Sequence, residues 1–143
     1  MLKARANQMR NFLNDDSFYL NPLSEKLGIT ELVKDVTECE IAYSKLIKYI
    51  SCMKNDYSDK TELVHCYALT VDKFLIEQKG FQWTLKKKYE PYNPYYYPEI
   101  SNDKVQDIDV ISNLFMAVGN KRKASFREFY WHITGIPVDE NID

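Results

Sequence analysis

Glycine is scarce in this chain, with four residues in 143, and proline is hardly commoner, with five. So few turn-forming residues leave little scope for tight turns or positive φ, and long helices are expected. The same scarcity leaves no glycine-rich phosphate cradle of the dinucleotide or P-loop kind, and no GxSxG nucleophile elbow occurs. No apolar run approaches the roughly 18 residues of a membrane span. The three cysteines, Cys39, Cys52 and Cys66, are odd in number and far apart, with no CxxC spacing. No secretory h-region opens the chain. Reduced thiols are therefore expected, in the cytoplasm of a bacterium or of an infected host cell, with buried cysteines serving as small apolar residues.

The formal charge of −2 is nearly neutral, so global attraction to nucleic acid or to an anionic membrane is not expected. The hydrophobic share of 45% and aromatic share of 14% argue against disorder over most of the length. The length suits a single domain, 1–143, with a core of its own. The opening MLKARANQMRNFLN carries Lys3, Arg5 and Arg10 and no acid, as a mitochondrial presequence does. Serine is absent from it, however, and Leu2, Ala6, Met9 and Leu13 fit the stripe of a docked first helix.

Helical periodicity runs through most of the chain. A first helix is expected over 2–13, and Asn21-Pro22 has the cap-then-proline order that opens a short second one closed by Gly28. The longest helix is expected over 30–54, on Leu32, Val33, Val36, Tyr43, Leu46, Ile47, Ile50 and Met53. Asp59 with Glu62 resembles a capping box for the next, striped by Leu63, Val64, Tyr67, Val71, Phe74 and Leu75 and stopped by Gly80. Ser101-Asn102-Asp103 is expected to cap a helix ending at Gly119. Ser125 with Glu128 opens a last helix stopped by Gly135, and 138–143 reads as a frayed tail. Phe81, Trp83 and Leu85 alternate with polar residues, which allows one short strand, with Ser17 to Leu20 or another chain as partner. The fold class expected is all-α: an irregular bundle of about five helices with two long antiparallel helices at its centre. A long Tyr/Pro-rich loop spans 82–100.

That loop carries the most distinctive sequence. Five of the nine residues from Tyr89 to Tyr97 are tyrosine, threaded on Pro91, Pro94 and Pro98. Each proline lacks an N–H and has a fixed φ, so neither a regular helix nor a central strand is expected. The rings either fold back as a flap on the core or stand out as anchors for a partner. Tyrosine brings large rigid area at low entropy cost, and proline limits the ordering cost of binding. The leading reading is a non-enzymatic adaptor or assembly protein that binds another protein through Trp83, Tyr89, Tyr92, Tyr95, Tyr96 and Tyr97. The abundance of Lys, Asn, Ile and Tyr fits an AT-rich genome, such as that of a phage or other mobile element.

Two alternatives come from other classes. Lys86, Lys87 and Lys88 precede the tyrosines, and Lys121, Arg122 and Lys123 precede Trp131. Basic residues beside aromatics suit single-stranded nucleic acid, whose phosphates they track while rings stack on bases. Acids interleaved at Glu90, Glu99 and Asp103 weigh against this. Glu62 and His65 form an ExxH pair on a helix, the spacing by which carboxylate bundles hold metal. A metal-dependent bundle enzyme would need a second such motif, and there are only two histidines in the chain. Neither a catalytic residue nor a cofactor is expected.

Overall fold

The computed structural model describes residues 6–52, 57–88, 95–119 and 124–135. These residues form six helices and a two-stranded antiparallel sheet, and the protein is mostly helical. The chain runs α1 (Ala6–Asn14), α2 (Asp16–Leu27), α3 (Val36–Cys52), α4 (Tyr57–Lys79), β1 (Gln82–Lys88), β2 (Tyr95–Ser101), α5 (Val110–Gly119) and α6 (Phe126–Thr134). Helix α4 is the hub, packed by α2, α3 and α5; α6 lies on α3 and α5, and α1 lies on α2 and β2. Among the described residues no helix is long and apolar enough to cross a membrane.

Several helix ends fall where side-chain chemistry puts them. Gly28, Gly80 and Gly135 each take positive φ, of 69°, 75° and 70°, and end α2, α4 and α6. Ser125 caps α6, its Oγ accepting from the Glu128 N–H at 3.2 Å. Other boundaries differ from the sequence expectation. Helix α2 does not open at Asn21-Pro22. It opens at Asp15, whose carboxylate accepts from both the N–H and the hydroxyl of Ser17, and Pro22 lies inside it. The lost bond and ring clash of an interior proline cost about 3 kcal/mol in an isolated helix. Here Tyr19 and Leu23, both fully buried, hold α2 against the core on either side of it.

The longest helix is α4, and α3 begins only at Val36. Asp35 accepts from the Glu38 N–H at 2.7 Å while the Glu38 carboxylate accepts from the Lys34 N–H at 2.7 Å. This acidic cap was hidden behind the apolar periodicity of Leu32 and Val33, which with Ile29 pack from an irregular segment instead. Asp59 sits inside the first turn of α4 rather than at its cap. Ser101-Asn102-Asp103 opens no helix, because the Asn102 carboxamide closes a turn by accepting from the N–H groups of Lys104 and Val105. The cap of α5 is Asp109, which accepts from the N–H and hydroxyl of Ser112. Cys39 and Cys66 are buried as small apolar residues, but Cys52 is exposed. The expectations for 1–5, 53–56, 89–94, 120–123 and 136–143 lie outside the described residues.

The core is welded by aromatics. Tyr43 on α3 lies 6.0 Å from Tyr67 of α4 and 5.8 and 6.0 Å from Phe126 and Phe129 of α6, measured between ring centroids. Its hydroxyl donates to the Ala124 carbonyl at 2.6 Å, and that of Tyr67 donates to the Cys39 carbonyl at 2.8 Å. Three helices thereby meet at rings whose polar tips are all satisfied. Removing the Tyr67 hydroxyl (Tyr67→Phe) is expected to lower stability by about 1 kcal/mol, and hollowing the core at fully buried Leu46 (Leu46→Ala) by about 2–5 kcal/mol. Urea unfolding followed by circular dichroism measures both, and equal costs would contradict the packing described.

Candidate functional site: the aromatic hairpin and its acidic footing

The segment expected to be one long loop is, for most of its length, a β-hairpin. Gly80 turns the chain at the end of α4, Phe81 buries its ring, and its N–H reaches back to the Leu75 carbonyl at 3.3 Å. Strand β1 then leaves in a direction set by α4 and pairs with β2, not with Ser17 to Leu20. The register matches Trp83 with Ile100, Thr84 with Glu99, Leu85 with Pro98, Lys86 with Tyr97, Lys87 with Tyr96 and Lys88 with Tyr95.

The proline objection fails for a geometric reason. The N–H and C=O of Ile100 both go to Ile108, at 3.0 and 2.9 Å, on the side away from β1. Backbone groups alternate in direction along a strand, so the nitrogen of Pro98, two residues earlier, also faces away from β1. Its missing N–H costs the hairpin no bond.

Side chains alternate as well. Trp83, Leu85, Tyr96, Pro98 and Ile100 share one face, with Trp83 and Leu85 partly buried against the core and Ile100 wholly buried. Thr84, Lys86, Tyr97 and Glu99 share the other. The returning segment adds Asp107 and Asp109 beside that polar face: Asp107 takes positive φ, 56°, and its N–H donates to the Ser101 hydroxyl at 2.8 Å. Lys86 Nζ meets the Asp107 carboxylate at 2.7 Å, which raises the lysine pKa. Tyr97 hydrogen-bonds Glu99. Burial first, and then the charge of Glu99, push the Tyr97 phenol up to about 12. Burial also raises the Glu99 pKa, and its Oε1 has no partner among the described residues.

Helix α4 contributes Asp72 and His65, two helical turns apart and both within electrostatic reach of Asp109. Asp72 is 1% exposed, its Oδ1 has no partner among the described residues, and burial, then Asp109, lifts its pKa well above the ordinary carboxyl range. His65 packs edge-on against Phe115 at 5.4 Å, and burial lowers its pKa to about 4. Its ExxH neighbour Glu62 is exposed, whereas His65 is buried. Among the described residues no three His, Cys, Asp or Glu side chains are grouped as metal ligands. Glu99, at 7% exposure, offers little access to a substrate. The arrangement is a footing in which the returning segment holds the hairpin through Asp107 and Ile108, while α1 packs on β2.

Of the residues singled out for binding, Trp83 and Tyr96 share one face of the hairpin and Tyr97 lies on the other, all three half-buried, and Tyr95 is the first residue of β2. Lys86 is engaged with Asp107; Lys87 and Lys88 complete β1. Tyr89, Tyr92, Lys121, Arg122 and Lys123 lie outside the described residues. Glu99, Asp107 and Asp109 were not foreseen as a unit; the only sequence signals were the Asp-x-x-Ser cap at 109 and the period-two placing of Tyr97 and Glu99. Also unforeseen were two open grooves flanking α6. One, of about 740 Å³, is lined by Ile41, Tyr43, Ile47 and Phe126. The other, of about 370 Å³, is lined by Met116, Phe129 and Trp131. No family model, no curated protein and no solved structure matches this chain.

The buried acids make a pH-dependent contribution of definite sign. Asp72 keeps its proton in the folded state at pH values where the unfolded chain has released it. Its burial therefore costs more stability as pH rises past the ordinary carboxyl value of 3.8. His65 acts oppositely: its contribution is full above 6.5 and is lost as pH falls toward about 4. Asp72→Asn is expected to raise the melting temperature near neutral pH, with the gain shrinking toward about pH 4. Melting curves across that range test it, and a loss of stability at neutral pH would show the Asp72 carboxylate to be ionised and paired.

Proposed function

We propose that the protein is a non-enzymatic adaptor that captures another protein through the aromatic hairpin. The observation that carries this reading is the placing of half-buried Trp83 and Tyr96 on one face of a hairpin, with Tyr97 on the other, footed by the Lys86–Asp107 ion pair and buried Glu99. Aromatic rings held in one orientation lose little freedom on docking, which is what interface hot spots require. The burial of Glu99 and Asp72 supports a scaffold role for the acids rather than a catalytic one. A cytoplasmic setting agrees with Cys39, Cys52 and Cys66 forming no disulfide with one another.

The nucleic-acid alternative is less well supported. Lys86, one of its phosphate contacts, is held by Asp107, and Lys121, Arg122 and Lys123 lie outside the described residues, so no single basic face is assembled from the two clusters among the described residues.

Among the described residues the Tyr96 side chain makes no hydrogen bond, and its ring is half-buried, so Tyr96→Ser is expected to leave the helical fold in place. Immobilised wild-type protein is expected to retain a defined set of polypeptides from an extract of its native host, and Tyr96→Ser to lose them by about tenfold or more. Mass spectrometry of the bound fraction and a melting curve of the variant decide the matter. Equal retention by both proteins, or a large drop in melting temperature, would overturn the hairpin as the binding surface.

A further inference from the structure

Among the described residues strand β1 is paired on one side only. Because Ile100 spends its backbone groups on Ile108, the Trp83–Ile100 pair is a non-hydrogen-bonded one, and Leu85–Pro98 and Lys87–Tyr96 share its phase. The N–H and C=O groups of Trp83, Leu85 and Lys87 therefore point away from β2. Among the described residues no backbone hydrogen bond from another element reaches them. They repeat about every 7 Å, the two-residue spacing at which an added strand makes its bonds. The far edge of β2 offers no such row, since Pro98 has no N–H and Ile100 is already bonded to Ile108.

Resting on the protein-capture reading above, we propose that β1 receives an extended, acidic segment of the partner as a third strand, bonded to Trp83, Leu85 and Lys87. Strand addition takes its affinity from main-chain bonds and its selectivity from the side chains beside them. Here those are Lys86, Lys87 and Lys88, three consecutive lysines in a seven-residue strand. Asp107 neutralises the first, and the sequence places two further lysines at the outer end of the strand. Acidic residues on a paired strand satisfy that charge, and basic ones oppose it. A second copy of this chain is disfavoured on the same ground, because edge-to-edge pairing would bring two sets of three lysines onto one ribbon. Lysine on an exposed edge is a common guard against self-pairing, and it leaves the edge open to a partner of opposite charge. Trp83 and Tyr96, on one face of the same hairpin, would flank the added strand, which ties this mode of docking to the aromatic surface.

The test uses the whole protein and two synthetic peptides, one alternating Glu and Val, the other Lys and Val. In the free protein, amide hydrogen exchange followed by NMR is expected to show Thr84 and Lys86 protected by β2, and Trp83, Leu85 and Lys87 unprotected. The Glu-Val peptide should protect those three amides. It should bind on the order of tenfold or more tightly than the Lys-Val peptide, and weaken in high salt. Methylating alternate backbone nitrogens of the peptide should abolish binding, and Leu85→Pro, which removes an outward N–H without touching the β2 ladder, should do the same. Protection of Trp83 and Leu85 in the free protein would overturn the proposal, as would equal binding of the two peptides or binding of neither. If Tyr96-dependent capture persists but the Glu-Val peptide does not compete with it, strand addition falls and the protein-capture reading stands. If capture does not depend on Tyr96, that reading falls instead.

Discussion

The structure depends on burying one helix on every side. From Leu63 to Asp72 each residue of α4 is buried, not only the apolar stripe that would face a neighbour. Helices α2, α3 and α5 surround it, so polar residues are drawn inside with the apolar ones. Thr70 answers this by donating its hydroxyl to the Tyr67 carbonyl at 2.7 Å, and His65 by remaining neutral against the edge of Phe115. Asp72 finds no partner for Oδ1 among the described residues, and its proton is retained because an isolated buried carboxylate is far more costly than a buried acid.

The hairpin inherits its position from that helix. Gly80 and Phe81 turn the chain off the end of α4 and aim β1 along the molecule, and Ile108 then ties β2 down on its other edge. A two-stranded ribbon alone is marginal in water, so this one persists through what lies on its two faces. On one, Trp83, Leu85 and Ile100 pack on the core. On the other, Lys86, Asp107, Tyr97 and Glu99 form a polar clamp. The surface proposed to bind is thus held from beneath by the same residues that leave its outer edge unpaired.

The polar face also separates two roles that acidic residues can play. A catalytic carboxylate must reach a substrate, whereas Glu99 and Asp72 are sealed in and Asp109 is committed to capping α5. Of the polar groups on this face, the Lys86–Asp107 ion pair is the one that fastens β1 to the returning segment. In the proposed reading, contact with a partner falls to the rings and to the backbone of β1.

Much of the helical architecture was legible in the residues. Gly28, Gly80 and Gly135 marked helix ends because only glycine reaches positive φ without penalty, and Ser125 with Glu128 marked a start because the two reciprocate across one turn. Phe81, Trp83 and Leu85 announced a strand through their period of two. These are local matters, decided within a few residues. What the sequence left open was everything set by a distant neighbour. Whether Pro98 breaks a strand depends on which edge its nitrogen faces, and only the bond between Ile100 and Ile108 decides that. Whether Asp72 and Glu99 meet water depends on α5 and on the returning segment. Local chain geometry is written in local side chains, but burial and pairing are properties of surfaces that exist only once the chain has folded.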